Sequence, residues 1–133
     1  MLKTLLLVAA TTLPLAATAQ TTETVTFKPG NYGTMVTGSI TGDGYADYRI
    51  GAKAGQELFA ELAVAESSGD GSIYFNLLPP GSADVAIYNA SMDGNSATIP
   101  LPRDGTYTIR VYHMGNDEDS GATTSFNLDL SIQ

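Results

Sequence analysis

An all-β fold, a single antiparallel β-sandwich or flattened barrel of about eight or nine strands, is what this sequence predicts, and three observations predict it. Apolar side chains recur with period two in Leu58, Ala60, Leu62 and Val64, and again in Phe126, Leu128, Leu130 and Ile132 against polar Asn127, Asp129 and Ser131. Short runs rich in Val, Ile, Thr, Tyr and Phe are separated at regular spacing by clusters of Gly, Pro, Asn and Asp. No window of comparable length carries a helical period.

Taken in chain order, Gln20 to about Thr22 reads as a loose end, and the first strand is expected at Val25–Phe27. Met35–Ile40 and Tyr48–Ala52 follow, divided by Thr41-Gly42-Asp43-Gly44, whose glycines can take positive φ. Ala54-Gly55-Gln56 then turns the chain into Glu57–Val64, and Ser67-Ser68-Gly69-Asp70-Gly71 turns it into Ile73–Leu77. Beyond the Pro79-Pro80-Gly81 break, Val85–Tyr88 and Ala97–Leu101 are weaker strands, and Thr106–His113 and Thr123–Ile132 are the long closing pair. One-sided alternation of this kind belongs to antiparallel sheets with one face in solvent.

The N-terminus is expected to be removed. Lys3, the apolar run Leu5-Leu6-Leu7-Val8-Ala9-Ala10, Pro14 and the tripeptide Ala17-Thr18-Ala19 follow the order of a cleavable export signal over residues 1–19. A membrane anchor would need about 20 continuous apolar residues, and Thr11-Thr12 and Pro14 interrupt the run. Residues 20–133 are then one domain, periplasmic or secreted, and the absence of cysteine removes lipid attachment, disulfides and thiolate metal sites. Loss of Lys3 leaves five basic residues against fourteen acidic ones, a net charge near −9. Nucleic acid and anionic lipid are poor partners for such a surface, and a basic protein is a good one.

Catalytic chemistry has little to work with. His113 is the sole histidine and lies in phase with Tyr107, Ile109 and Val111 on a strand, which suits a buried structural residue. The serines sit in turns without a strand-to-helix elbow. Asp43 with Asp47, or Asp117, Glu118 and Asp119, have the oxygen chemistry for Ca²⁺ but not the spacing of an EF-hand loop, so neither a metal nor another cofactor is expected. In Leu101-Pro102-Arg103-Asp104-Gly105-Thr106-Tyr107 a turn leads straight into a long strand, placing Asp104 and Gly105 at a loop tip and Tyr107 at the strand entrance. A tyrosine in that place either fixes a sandwich corner by bonding the backbone or stands ready for a partner.

Several segments together resemble the bacterial periplasmic inhibitors of invertebrate-type and goose-type lysozymes. Val25-Thr26-Phe27-Lys28-Pro29-Gly30 is similar to that family's first strand and turn, and Gly38-Ser39-Ile40-Thr41-Gly42 with Tyr45-Ala46-Asp47-Tyr48 to its G-x-I-x-G…Y-x-x-Y segment. Ala52-Lys53-Ala54-Gly55-Gln56 matches the turn before its central strand, and Leu101 to Val111 resembles its L-P-x-S-G-x-Y-x-x-R-V block. The likeness extends to the β-sandwich domains associated with secreted peptidases.

The resemblance implies a protein that is not an enzyme, with a basic lysozyme as partner. Its insertion element would be Asp104, Gly105, Thr106 and Tyr107 with Arg110 on the following strand, and Asp117, Glu118 and Asp119 would form an acidic rim. Two positions depart from the pattern. Asp104 stands where the family has a serine, and an ionised carboxylate entering an acidic cleft is repelled unless neutralised. Asp117, Glu118 and Asp119 fall where relatives tend to run M-R-N-x-A-R-R. The alternative reading is a non-catalytic module that binds cell-wall carbohydrate, with Tyr32, Tyr45, Tyr88 and Tyr112 as stacking surfaces. An exposed edge strand would also allow two copies to pair as a homodimer.

Overall fold

The protein is described here as a computed structural model covering residues 20–133, so the expected signal at 1–19 lies outside the described residues. The chain runs through strands β1 (Gln20–Thr24), β2 (Gly33–Thr41), β3 (Tyr45–Ala52), β4 (Glu57–Ser67), β5 (Ile73–Leu78) and β6 (Tyr88–Asn89). It continues through the short helix α1 (Ala90–Asp93), β7 (Ser96–Pro100), β8 (Gly105–His113), the short helix α2 (Asn116–Ser120) and β9 (Thr123–Ile132). One sheet has the order β1-β3-β8-β5-β6 and the other β2-β9-β4-β7. The two remain separate sheets, so the sandwich is realised and the flattened barrel is not.

The period-two pattern becomes the core. Leu58, Ala60 and Leu62 of β4 and Phe126, Leu128, Leu130 and Ile132 of β9 are buried against Ala46, Tyr48 and Ile50 of β3, Phe75 and Leu77 of β5, and Tyr107, Ile109 and Val111 of β8. Each large apolar side chain so enclosed contributes about 1.5–3 kcal/mol relative to exposure. Between the sheets, Tyr48 meets Phe126 edge-on at 6.2 Å, and a Cβ at Gly38 would collide with the Tyr48 hydroxyl and the Phe126 ring. Burial, reinforced by the Glu23 charge, pushes the Tyr48 hydroxyl up to about 12, so it stays neutral at any physiological pH.

Four sequence expectations change. The first strand is Gln20–Thr24 rather than Val25–Phe27, and it pairs with β3 in parallel, from Gln20 opposite Tyr45 to Thr24 opposite Arg49. The expected loose end is therefore a strand, and its sheet is mixed. All five of its residues are exposed; backbone pairing, not burial, holds them, which is why no alternation announces them. The Val85–Tyr88 strand contracts to Tyr88–Asn89. Val64 keeps its register opposite the core residue Phe126 but is exposed rather than buried, and a bulge follows it in β4, between Val64 and Glu66. The acidic run after His113, where no helical period is expected, closes into the short helix α2.

Candidate functional site

Connections gather at the two ends of the sandwich, and each end is organised by one polar side chain turned inward. At the first end the segments after β3, β5 and β7 meet. Tyr107, at the entrance of β8, is fully buried (0 % exposed). Its hydroxyl donates to the Arg103 carbonyl at 2.7 Å and accepts from the Arg103 N–H at 3.0 Å, so one phenol closes the 103–107 turn. Of the two readings of this residue, the corner is the one that its burial and bonding describe; its ring is not presented to solvent.

What this end does present is Arg103, Asp104, Gly105 and Thr106, all exposed. Asp104 accepts from the Ala54 N–H through Oδ1 at 2.7 Å, while Gly55 N–H bonds the Leu101 carbonyl and Leu101 N–H the Gln56 carbonyl, so the 53–56 turn and the tip form one rigid unit. The Arg103 guanidinium reaches the Pro80 carbonyl at 3.3 Å. Gly105 has φ +137°, and a Cβ there would lie 2.8 Å from Pro80 Cγ; only glycine lets the tip pack this closely.

At the opposite end the segments after β2, β4 and β8 meet. Asp117, 1 % exposed, accepts from the Asp70 N–H at 2.9 Å and the Ser72 N–H at 2.8 Å. These donors favour the charged form and hold its carboxyl below the usual carboxylate range. Asp117 therefore anchors the 68–72 turn and does not stand in the surface row with Glu118 and Asp119, which are exposed and border a shallow surface with Asp43. His113 is buried beside this anchor, with Nδ1 on the Gly42 carbonyl at 2.9 Å and Nε2 on Thr124 Oγ1 at 2.7 Å. Thr124 Oγ1 in turn pairs with Ser67 Oγ at 2.8 Å, which accepts from the Gly69 N–H. A neutral imidazole donating at Nδ1 and accepting at Nε2 satisfies this whole chain, which makes His113 structural.

Between the ends, the outer face of the five-stranded sheet is a shallow polar concavity containing Asp47, Arg49, Thr108 and Arg110. Arg110 forks onto Asp47 with Nε to Oδ1 at 2.8 Å and Nη2 to Oδ2 at 2.9 Å, reaches the Ala83 carbonyl at 3.2 Å, and lies 4.3 Å over the Tyr45 ring. This pairing joins residues 63 positions apart, so local sequence carried no signal for it. The nine residues of β8 separate the Asp104 tip from α2 by about 26 Å at 3.3 Å per residue. The structure thus brings Asp104, Gly105 and Thr106 together, sets Glu118 and Asp119 at the far end, and places Arg110 on the face between. Among the described residues no group of three or more His, Asp or Glu could hold a metal ion.

No protein-family model matches the chain. It is 30% identical over 112 residues to the inhibitor of g-type lysozyme from Escherichia coli K12, covering 82% of this chain and 79% of that protein. Its structure resembles PliG of Aeromonas hydrophila, a periplasmic inhibitor of g-type lysozyme, at 31% identity and a TM-score of 0.76 over 86% of this chain and 97% of that one. The pre-peptidase C-terminal domain of a Bacillus anthracis collagenase shares the fold at 15% identity, with a TM-score of 0.54 over 86% of this chain and 94% of that one. Both inhibitor relatives bear on goose-type enzymes; neither bears on invertebrate-type lysozymes. On that identity and coverage, the chain belongs to the family of the g-type lysozyme inhibitors, which are binding proteins and not enzymes.

Proposed function

We propose that this protein acts in the periplasm as an inhibitor of a g-type lysozyme, covering the substrate cleft with the Arg103–Thr106 end of the sandwich. The observation that carries the choice of end is its rigidity. Tyr107, Asp104 and Gly105 fix the tip before any partner arrives, so docking costs little ordering entropy. The Ala54 N–H holds Asp104 Oδ1 within the tip but leaves its charge, so attraction to an acidic cleft has to come from the neighbouring Arg103 guanidinium and the Thr106 hydroxyl.

One observation favours a second arrangement. Asp43, Glu118 and Asp119 concentrate negative charge at the opposite end, where a basic lysozyme rim would be attracted, and at about 26 Å the two ends are electrostatically independent, since screening at physiological salt acts over about 8 Å. Charge reversal at each end separates the two. Titrating a g-type lysozyme with Arg103→Glu and with the pair Glu118→Lys, Asp119→Lys should weaken inhibition about tenfold or more for the first and leave the second within about threefold. The reverse pattern would assign the contact to the α2 end, and wild-type protein that inhibits no g-type lysozyme would overturn the reading.

A further inference from the structure

We infer that the outer face of the five-stranded sheet carries a glycan-binding platform, formed by Tyr45, Tyr112 and Tyr74 and distinct from either loop end. The register places the three tyrosines in one rung across adjacent strands, Tyr45 opposite Tyr112 and Tyr112 opposite Tyr74. Their chain neighbours Ala46, Val111 and Phe75 are core residues, so the tyrosines lie on the other face; all three are half-buried, and Tyr74 also packs partly against the core cluster. Three partly exposed aromatic rings in one outer rung are not what solubility asks of a strongly acidic domain.

The next rung supplies hydrogen-bonding groups. Asp47 lies opposite Arg110, and Arg110 opposite Asn76. The ion pair neutralises itself and fixes two of the rings: the Arg110 guanidinium covers one face of Tyr45 at 4.3 Å, so a sugar has to meet that ring at its other face or edge, and the Tyr112 hydroxyl donates to Asn76 Oδ1 at 3.2 Å. Two of the three rings are therefore held in place in advance. At a strand spacing of about 4.8 Å the rung is about 10 Å long, room for about two linked pyranose rings laid against the tyrosines through their C–H faces.

Charge narrows the ligand further. Arg49, exposed and four residues from Tyr45 on the same face of β3, brings a positive charge about 13 Å along the strand from the aromatic rung. A neutral glycan would leave that charge unused, and a dense polyanion would be repelled by a chain with fourteen acids against six bases. The chemistry that fits is a strand of pyranose amino sugars bearing sparse carboxylates, as in a bacterial wall. This inference does not depend on the lysozyme reading: a protein that inhibits nothing could still hold the glycan.

The test is cosedimentation of the purified protein with insoluble peptidoglycan, with no lysozyme present, beside chitin as the uncharged glycan. Wild type should pellet with both. Tyr45→Ala with Tyr112→Ala should weaken both interactions about tenfold or more, and Arg49→Gln should weaken the peptidoglycan interaction about threefold and leave chitin unchanged. Thermal melts check that the variants fold. A measurement without mutation stands beside them: the chain has seven tyrosines and no tryptophan, so chitotetraose stacking on the rung should change the tyrosine fluorescence of the wild-type protein. Inhibition of a g-type lysozyme on a soluble oligosaccharide should be the same for the tyrosine variant and wild type, which keeps failure of the platform distinct from failure of the inhibitor reading. Wild type that stays in the supernatant, or a folded tyrosine variant that pellets as well as wild type, overturns the platform.

Discussion

The two ends of this sandwich solve the same problem with opposite chemistry. Each must hold a reversing segment whose backbone cannot join a sheet, and each does so with one buried side chain reaching back to backbone groups: Tyr107 to Arg103 at one end, Asp117 to Asp70 and Ser72 at the other. Tyr107 does this with a neutral hydroxyl on a ring that also fills the core, whereas Asp117 does it with a charge. The turn closed by Tyr107 is therefore tied to the global fold through a neutral group, while the 68–72 turn is tied to the ionisation of one buried carboxylate. A surface meant to enter a rigid cleft belongs on the first kind of support.

Removing Tyr107 should have the largest effect. Tyr107→Ala empties a fully enclosed ring site and is expected to cost about 3–5 kcal/mol, read as a lowered urea midpoint for the whole domain. Tyr107→Phe keeps the ring and loses the two bonds to Arg103, which should cost about 1–3 kcal/mol. If the alanine variant melts like wild type and only inhibition suffers, Tyr107 is a contact residue and the comparison between the ends collapses.

Acid should act on the other end through Asp117. The Asp117 carboxyl titrates lower in the folded protein than in the unfolded chain, so its contribution is complete above the usual aspartate range and is lost as pH falls through the depressed folded value. Amide exchange at Asp70 and Ser72 should accelerate in that acidic window, with the Arg103 amide, held by the neutral Tyr107 hydroxyl, unchanged beyond the intrinsic rate. Asp117→Asn should show the loosened turn at neutral pH and abolish its acid dependence. The smallest effect is expected from Glu118→Lys with Asp119→Lys, whose side chains are exposed; stability should stay within about 0.5 kcal/mol of wild type.

Much of the sandwich was legible because burial writes itself into alternation: β4 and β9 were readable from Leu58, Ala60 and Leu62 and from Phe126 to Ile132. Strand β1 was not, since Gln20–Thr24 is exposed throughout and owes its place to backbone pairing with β3. For the candidate site, the turn before Tyr107 was visible as Gly and Asp before a strand, and both roles for the tyrosine were readable; its burial chose between them. Asp117 was indistinguishable from Glu118 and Asp119 in a run of acids, because only the incoming 68–72 turn separates them. The Asp47–Arg110 pair and the tyrosine rung depend on the register of strands far apart in sequence, which single-strand patterns do not encode. Tyr74 was missed for that reason, though Tyr45 and Tyr112 were noted.

The central claim is that this protein stops a g-type lysozyme with the rigid Arg103–Thr106 tip, and its most direct measurement is a titration of such a lysozyme with wild type and with Arg103→Glu. Wild type should abolish hydrolysis at near-equimolar protein, and Arg103→Glu, folded by its melting curve, should require about tenfold more or beyond. Equal potency of the two proteins, or lysozyme activity untouched by either, would contradict the account.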